Sequence, residues 1–461
     1  MSIDIKKSDV AWNVAASVMR LASGFIMLPI LINRLSAEDL GLWTTVFIAL
    51  NSAIILLDFG FFTTFSRNIT YIFSGAKELK GEGLGEMDPS GRIFYPLLKG
   101  TINAMKVYYS SIALLLAILF ASVGYFYIEK ILVGYSGDPV MTRVAWFAYG
   151  ALLCYQFYTY FYDAILMGRG FVRRSRQIIV LSQCIHIVVG SILLFSGFGI
   201  ISLVISQTLS TLVNKELARR SFFDREIKDN LRKSASESWK KILGIMWKTA
   251  YKSGMSSAAW TLSNKMLPLI APLFIPLALT SSYGLSKTVV DITYSMSVIW
   301  FMTYYPKLTQ VSFHQNNQEV KRLFVKSQFM IIGVVLLCAA SALIFGDFVL
   351  SILKKERTFL ETPIFALFFI SALFDAFTYI STQVLLSKNR VPYYKAQILS
   401  AFAVVIVLYL SLKFVSNDIA ILVVVPFAIQ LLWNHWYWFA KVVKMLNVRF
   451  VDYFKFISIY F

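Results

Sequence analysis

Apolar stretches of some twenty residues recur along this chain from one end to the other. Each is long enough to cross about 30 Å of hydrocarbon at about 1.5 Å per residue. Hydrocarbon offers the backbone no hydrogen-bond partners, so such stretches must be helices or the strands of a closed barrel. Barrel strands alternate apolar and polar residues over about ten positions, whereas runs such as 111–123 (SIALLLAILFASV) do not alternate. Helical spans are therefore predicted near 10–32, 40–62, 107–128, 144–168, 178–196, 200–214, 253–276, 281–306, 328–352, 363–386, 397–411 and 419–440. The 461 residues are 57% hydrophobic and 15% charged. Soluble domains carry about 25% charged residues, so a string of soluble domains is excluded.

A net charge of +19 invites a nucleic-acid partner, but the placement of the charges argues against one. With the N-terminus taken as cytosolic, 34 lysines and arginines outside the spans fall on the cytosolic side and 7 on the opposite side. Such a bias is the positive-inside rule at work, and it places both termini in the cytosol. The basic loops can also hold anionic lipid headgroups. Asp4 and Asp9 interrupt the start, and no small-residue cleavage site follows the first apolar run, so no cleavable signal peptide is expected. Cys154, Cys184 and Cys338 lie in apolar helices and are too few for a disulfide framework or a zinc site.

The chain repeats internally. An offset of 243 pairs Pro29 with Pro272, Gly41 with Gly284 and Leu42 with Leu285; an offset of 220 pairs Leu166 with Leu386, Gln177 with Gln397 and Ile178 with Ile398. The offsets differ by 23, about the amount by which loop 63–106 exceeds its counterpart 307–327. Six spans per half is an even number, so both halves face the same way. The expected fold is an all-α membrane protein of about twelve transmembrane helices, in two six-helix halves related by a parallel pseudo-twofold. In such folds substrate binds between halves near the midplane. The expected organisation is a bundle over 1–214, a cytosolic linker over 215–252, a second bundle over 253–440 and an interfacial tail over 441–461.

Gly81, Gly83 and Gly85 resemble a phosphate-cradling loop only superficially, because no strand precedes them and no helix start follows closely. No Walker sequence occurs, and no paired carboxylates or metal cluster stand in a sizeable polar region, so an enzyme is not expected. The mixed charges of 215–252, with Trp239 and Trp247, suggest a helix lying along the membrane interface.

Charges inside the spans carry the functional information. Arg20 lies about 15 Å deep, Lys265 about halfway along its span, and Lys287 about 9 Å from the outer end of the next. A central Arg or Lys costs roughly 2.5–3.5 kcal/mol on insertion scales, so it usually faces a polar cavity or a partner. Arg20 maps to Ser263, two residues from Lys265, so the halves place cations at nearly equivalent positions. Two such cations suit an anion, and a phosphate above all. Arg20, Lys265 and Lys287 are accordingly the expected substrate-binding residues. The alternatives are a structural pairing of Arg20 with Asp58, and mutual neutralisation of Lys287 and Asp291, one helical turn apart. Asp375 has no sequence-local partner, and it, Asp291 and Asp58 are the candidates for coupling to a proton or sodium gradient. Asp163 is expected to be structural, and His186 and His435 to be satisfied packing residues.

Residues 13–20, then Leu28-Pro29-Ile30-Leu31, Leu35–Trp43 (LSAEDLGLW), Leu57-Asp58-Phe59-Gly60 before Arg67, and Phe73–Leu79 (FSGAKEL) resemble the bacterial polysaccharide and O-antigen flippases. These belong to the multidrug/oligosaccharidyl-lipid/polysaccharide exporter (MOP) superfamily. The motifs are concentrated in the first hundred residues. The resemblance implies a MATE/MOP-like fold and translocation of an undecaprenyl-diphosphate-linked oligosaccharide across a bacterial inner membrane by alternating access. It also implies a cationic central cavity, with Arg20 where such a contact falls, and partners among polysaccharide polymerases or glycosyltransferases. The other branch of the superfamily exports cationic drugs and typically uses acidic groups in its first half. Arg20 in the first span argues against that branch, while Asp58 and Asp163 keep it open.

Overall fold

The computed structural model describes residues 7–80, 88, 92–313, 317–353, 358–387, 392–449 and 452–453. The predicted spans fall mainly on helix, although the seventh leaves the α-helix after Asn264, and no strand occurs among the described residues. Helices with all backbone bonds internal are what a lipid solvent demands. In chain order they are α1 (Lys7–Arg34), α2 (Phe61–Phe73), α3 (Tyr95–Leu119), α4 (Pro139–Tyr158), α5 (Phe161–Gly168), α6 (Val172–Phe195), α7 (Ile201–Phe222) and α8 (Arg225–Lys233). There follow α9 (Trp239–Asn264), α10 (Leu277–Phe313), α11 (Asn317–Leu353), α12 (Thr362–Ser387), α13 (Tyr394–Phe414), α14 (Ile421–Leu432) and α15 (Asn434–Met445). Between α1 and α2, the second predicted span is a broken run containing a π-helical turn over Leu42–Phe47.

Seven runs among the described residues are long and apolar enough to cross a membrane. The other predicted spans are less uniformly apolar; α7, for example, buries Ser202, Ser206, Ser210 and Thr211. The outward face of α11 presents Leu336, Leu337, Ile344, Phe345, Phe348 and Ile352, each more than half exposed. A contiguous apolar face of this kind belongs in hydrocarbon. The chain is a multi-pass membrane protein.

Two compact units divide the chain: 1–40 with 50–258, and 41–49 with 259–461. The division falls within α9. In the first unit α2 packs on α3 and α5, α3 on α4, α7 on α4 and α5, and α6 on α7. In the second, α10 packs on α11 and α12, α11 on α12, α12 on α14 and α15, and α13 on α14. Helix α1 packs on α6 in the first unit.

Local chemistry explains the breaks. Phe59 (φ 51°) and Gly60 (φ 76°) are both left-handed, so the helix stops at Asp58 and restarts at Phe61. Asp58 caps the restart: its carboxylate accepts from Phe62 N at 3.0 Å and from the Tyr109 hydroxyl at 2.7 Å. A Cβ at Gly60 would meet Gly254 N at 3.0 Å, so the close approach as well as the positive φ calls for glycine. The start of α4 uses Asp138 as N-cap, accepting from Val140 N and Met141 N, with Pro139 in the first turn.

The helix of the sixth predicted span continues past 214. Helix α7 runs on to Phe222, and Lys215, placed by sequence in the linker, is buried against Asp163. The linker itself is the short amphipathic helix α8, which buries Ile227, followed by a strap that docks on α3 through Lys99 Nζ to Ser234 O at 2.7 Å. Gly81, Gly83 and Gly85 lie outside the described residues.

Candidate functional site

The polar cluster of the second unit begins where α9 ends. Pro268 and Pro272 lack the N–H donors that a continuing helix would use, and the chain passes from Asn264 into two 3-10 turns, Leu267–Leu269 and Ala271–Leu273. Lys265 follows the last residue of α9, where the partial negative charge of the helix end favours a cation. Helix α10 brings Lys287 and Asp291 to one face, a turn apart.

Lys265 Nζ lies 2.8 Å from Asp291 Oδ2, and Lys287 Nζ lies 3.1 Å from Asp291 Oδ1. One carboxylate therefore serves two ammonium groups, and the triad keeps one unit of positive charge. The pairing within α10 follows from its sequence; the arrival of Lys265 from α9 does not. Each lysine also lies 5.9 Å from the centre of an aromatic ring, Trp260 for Lys265 and Phe368 for Lys287, at the outer reach of cation–π attraction.

These three side chains line a cavity of about 60 Å³ together with Tyr283, Tyr294, Ser371 and Asp375. That volume holds a small number of waters and no sugar ring. An ammonium offers three donors and a carboxylate none, so the triad can hold a further anion through lysine N–H groups that Asp291 does not use. No group of three or more metal-ligating side chains occurs among the described residues.

Asp375, on α12, has a partner after all. Its Oδ1 lies 3.2 Å from Nε2 of His435, in the first turn of α15. His435 is 2% exposed, stacks on Phe374, and has no hydrogen-bond partner for Nδ1 among the described residues. Sequence reasoning took it for a satisfied packing residue and missed the pairing, which joins positions sixty residues apart. His186 fits that expectation, with Nδ1 at 3.1 Å from Ser206 Oγ.

Asp58 stands in the other unit, in the capping network described above. The side chain of Arg20 lies outside the described residues. Lys265, Lys287, Asp291 and Asp375 are thus brought to one cavity, and Asp58 is not among them. Asp163 is paired with Lys215, and the three cysteines are free.

No protein-family model matches the chain, and no curated protein matches its sequence. Its fold is similar to that of an inward-facing multidrug resistance transporter of the MATE family, in the MOP superfamily. That likeness covers 94% of each chain at 14% identity, with a TM-score of 0.65. The MurJ lipid II flippase in an inward closed conformation matches over 97% of this chain and 89% of its own, at 11% identity and a TM-score of 0.64. A MOP superfamily transporter from Pyrococcus furiosus matches over 95% and 94%, at 12% identity and a TM-score of 0.52. At these identities the likeness is one of fold alone.

Proposed function

We propose that this chain, which has the fold of the MOP superfamily transporters, is a flippase for an undecaprenyl-diphosphate-linked oligosaccharide in a bacterial inner membrane. The observation that carries the reading is the Lys265–Asp291–Lys287 triad, whose two ammonium groups share one carboxylate at a cavity within apolar helices that Asp375 also lines. A diphosphate headgroup needs such cations; the prenyl chain can remain in lipid while the sugars pass through a wet interior. The fold serves both the MATE transporter and the MurJ flippase, so it is the site chemistry that favours the anionic substrate. Alternating access between two six-helix halves completes the reading, with Arg20 as a further headgroup contact.

The test uses a host lacking the gene, complemented at matched membrane levels with wild type, Lys265→Met, Lys287→Met and the double variant. Surface polysaccharide and the lipid-linked oligosaccharide retained on the cytosolic side are both quantified. Wild type clears the retained unit, each single variant slows clearance about tenfold, and the double variant abolishes it. If loss of the gene leaves surface polysaccharide intact but sensitises cells to cationic drugs, the chain belongs with the drug exporters in function.

A further inference from the structure

Each unit holds a partly buried carboxylate–base pair in which the acid lies in the fourth predicted span and the base on the helix that carries, or directly continues, the sixth. In the first, Asp163 on α5 holds Lys215 on α7; in the second, Asp375 on α12 holds His435 on α15. Lys215 and His435 are 220 residues apart, the offset that pairs Leu166 with Leu386. Helices α7 and α14 also begin 220 apart, at Ile201 and Ile421. The bases are therefore repeat-equivalent. The acids are displaced by about two helical turns, since Asp375 corresponds to Tyr155. One half carries a permanent cation at this place, and the other carries the side chain that changes charge between pH 5 and 8.

We propose that His435, held against Asp375, is a proton-binding site that sets the charge of the cavity, so that proton binding and anion binding reinforce one another; the anion half of this statement rests on the flippase reading. A ring nitrogen and a carboxylate oxygen at 3.2 Å need a proton between them, so the pair already holds one. With that single proton the imidazole is neutral, and the charges of Lys265 and Lys287 cancel those of Asp291 and Asp375. A second proton, on Nδ1, leaves one positive charge in excess. Asp375 is the charged group that touches the imidazole. Beyond it stand Lys265, just past the end of α9, and Lys287, Asp291 and Tyr294 on α10. The positive end of α15 opposes the added charge, while the ring of Phe374, stacked at 5.5 Å, favours it. Helix α13 faces this turn with Ser400, which accepts from Asn434. Reciprocal linkage then makes each ligand tighten the other by the same factor.

The chain has three histidines, so histidine-selective isotopic labelling of the full-length protein in nanodiscs yields three imidazole signals, and His435→Gln identifies the relevant one. The expected result is a His435 signal that passes from the neutral to the charged form between pH 8 and pH 5. A signal neutral throughout overturns the proposal, whatever the substrate. Sulfate, whose own charge is constant over this range, then probes the linkage. It binds wild type about tenfold more tightly at pH 5.5 than at pH 8, a typical size for a coupling between sites. His435→Gln loses that dependence, and His435→Lys binds tightly at both pH values. A pH dependence that survives in His435→Gln overturns the linkage. A His435 that titrates in a protein with no affinity for sulfate keeps the proton site and defeats the anion reading instead.

Discussion

The Lys265 ammonium lies 2.8 Å from Asp291 Oδ2, and this contact joins a helix end stopped by prolines to the middle of the next long helix. Asp291 is thereby held between two cations, and its removal leaves them facing one another. Asp291→Asn destabilises the protein by about 1–3 kcal/mol, below the 3–5 kcal/mol typical of a fully buried pair because all three side chains are partly exposed. Thermal unfolding in detergent measures the loss. Adding Lys287→Met to Asp291→Asn recovers part of it, since one unpaired cation is then removed; a double variant less stable than the single one contradicts the shared-carboxylate account.

Gly41 and Gly284, paired by the internal repeat, meet the same constraint within the second unit. A Cβ at Gly41 would lie 2.3 Å from Leu277 O, and one at Gly284 would lie 1.9 Å from Thr44 Oγ1. Gly284→Ala costs about 1–3 kcal/mol through overpacking. Thr44→Gly in the same chain relieves most of that cost, read as recovery of the unfolding temperature. Gly41→Ala is not rescued by the same change, because the atom it strikes is a backbone oxygen.

Asp58 and Tyr109 act as one unit. Asp58→Ala removes the acceptor for Phe62 N and the Tyr109 hydroxyl together, at about 1–2 kcal/mol for a lost cap and a buried hydrogen bond. Tyr109→Phe costs about 1 kcal/mol. The double variant costs less than the sum, and strict additivity in the cycle refutes the hydrogen bond. Ion coupling through Asp58 predicts in addition that Asp58→Asn abolishes gradient-driven transport, whereas a purely local cap leaves it running.

Asp224 gives a pH dependence outside the spans. Burial raises its carboxyl, but the Ile227 N–H it caps and the Arg169 guanidinium at 2.8 Å outweigh burial and hold it below the usual carboxylate range. A depressed folded-state value contributes stability that is present above the unfolded-state range and is lost as the pH falls through the folded-state value. The unfolding temperature of wild type therefore drops on acidification below about pH 4, where unfolded Asp titrates. Asp224→Asn is less stable than wild type at neutral pH by about 1 kcal/mol or less, as befits a partly exposed cap, and the difference shrinks in acid. A difference that is constant between pH 7 and pH 3 is the outcome that counts against this assignment.

How far the site was legible depended on sequence distance. Lys287 and Asp291 share a face because four residues make one helical turn, and Pro268 and Pro272 announce the stop after Asn264. Asp375 could be flagged as an unexplained charge inside a span, but its histidine could not be named. Lys215 and His435 do share the repeat offset, and that signal was available in the chain; it becomes meaningful only when each is seen beside a carboxylate. The helix of the sixth span runs on past 214, which the sequence did not announce because Lys215 looks like a loop residue until Asp163 is beside it.

What the sequence by itself determined is the part governed by the solvent and by near neighbours. Hydrocarbon leaves the backbone no alternative to the helix, so the apolar runs dictate where helices lie, while glycine, proline and capping aspartates dictate where they break. Tertiary structure alone decided which charges distant in sequence meet. A buried ion pair is chosen by packing, which brings Lys265 to Asp291 and His435 to Asp375 across gaps that no helical period can span.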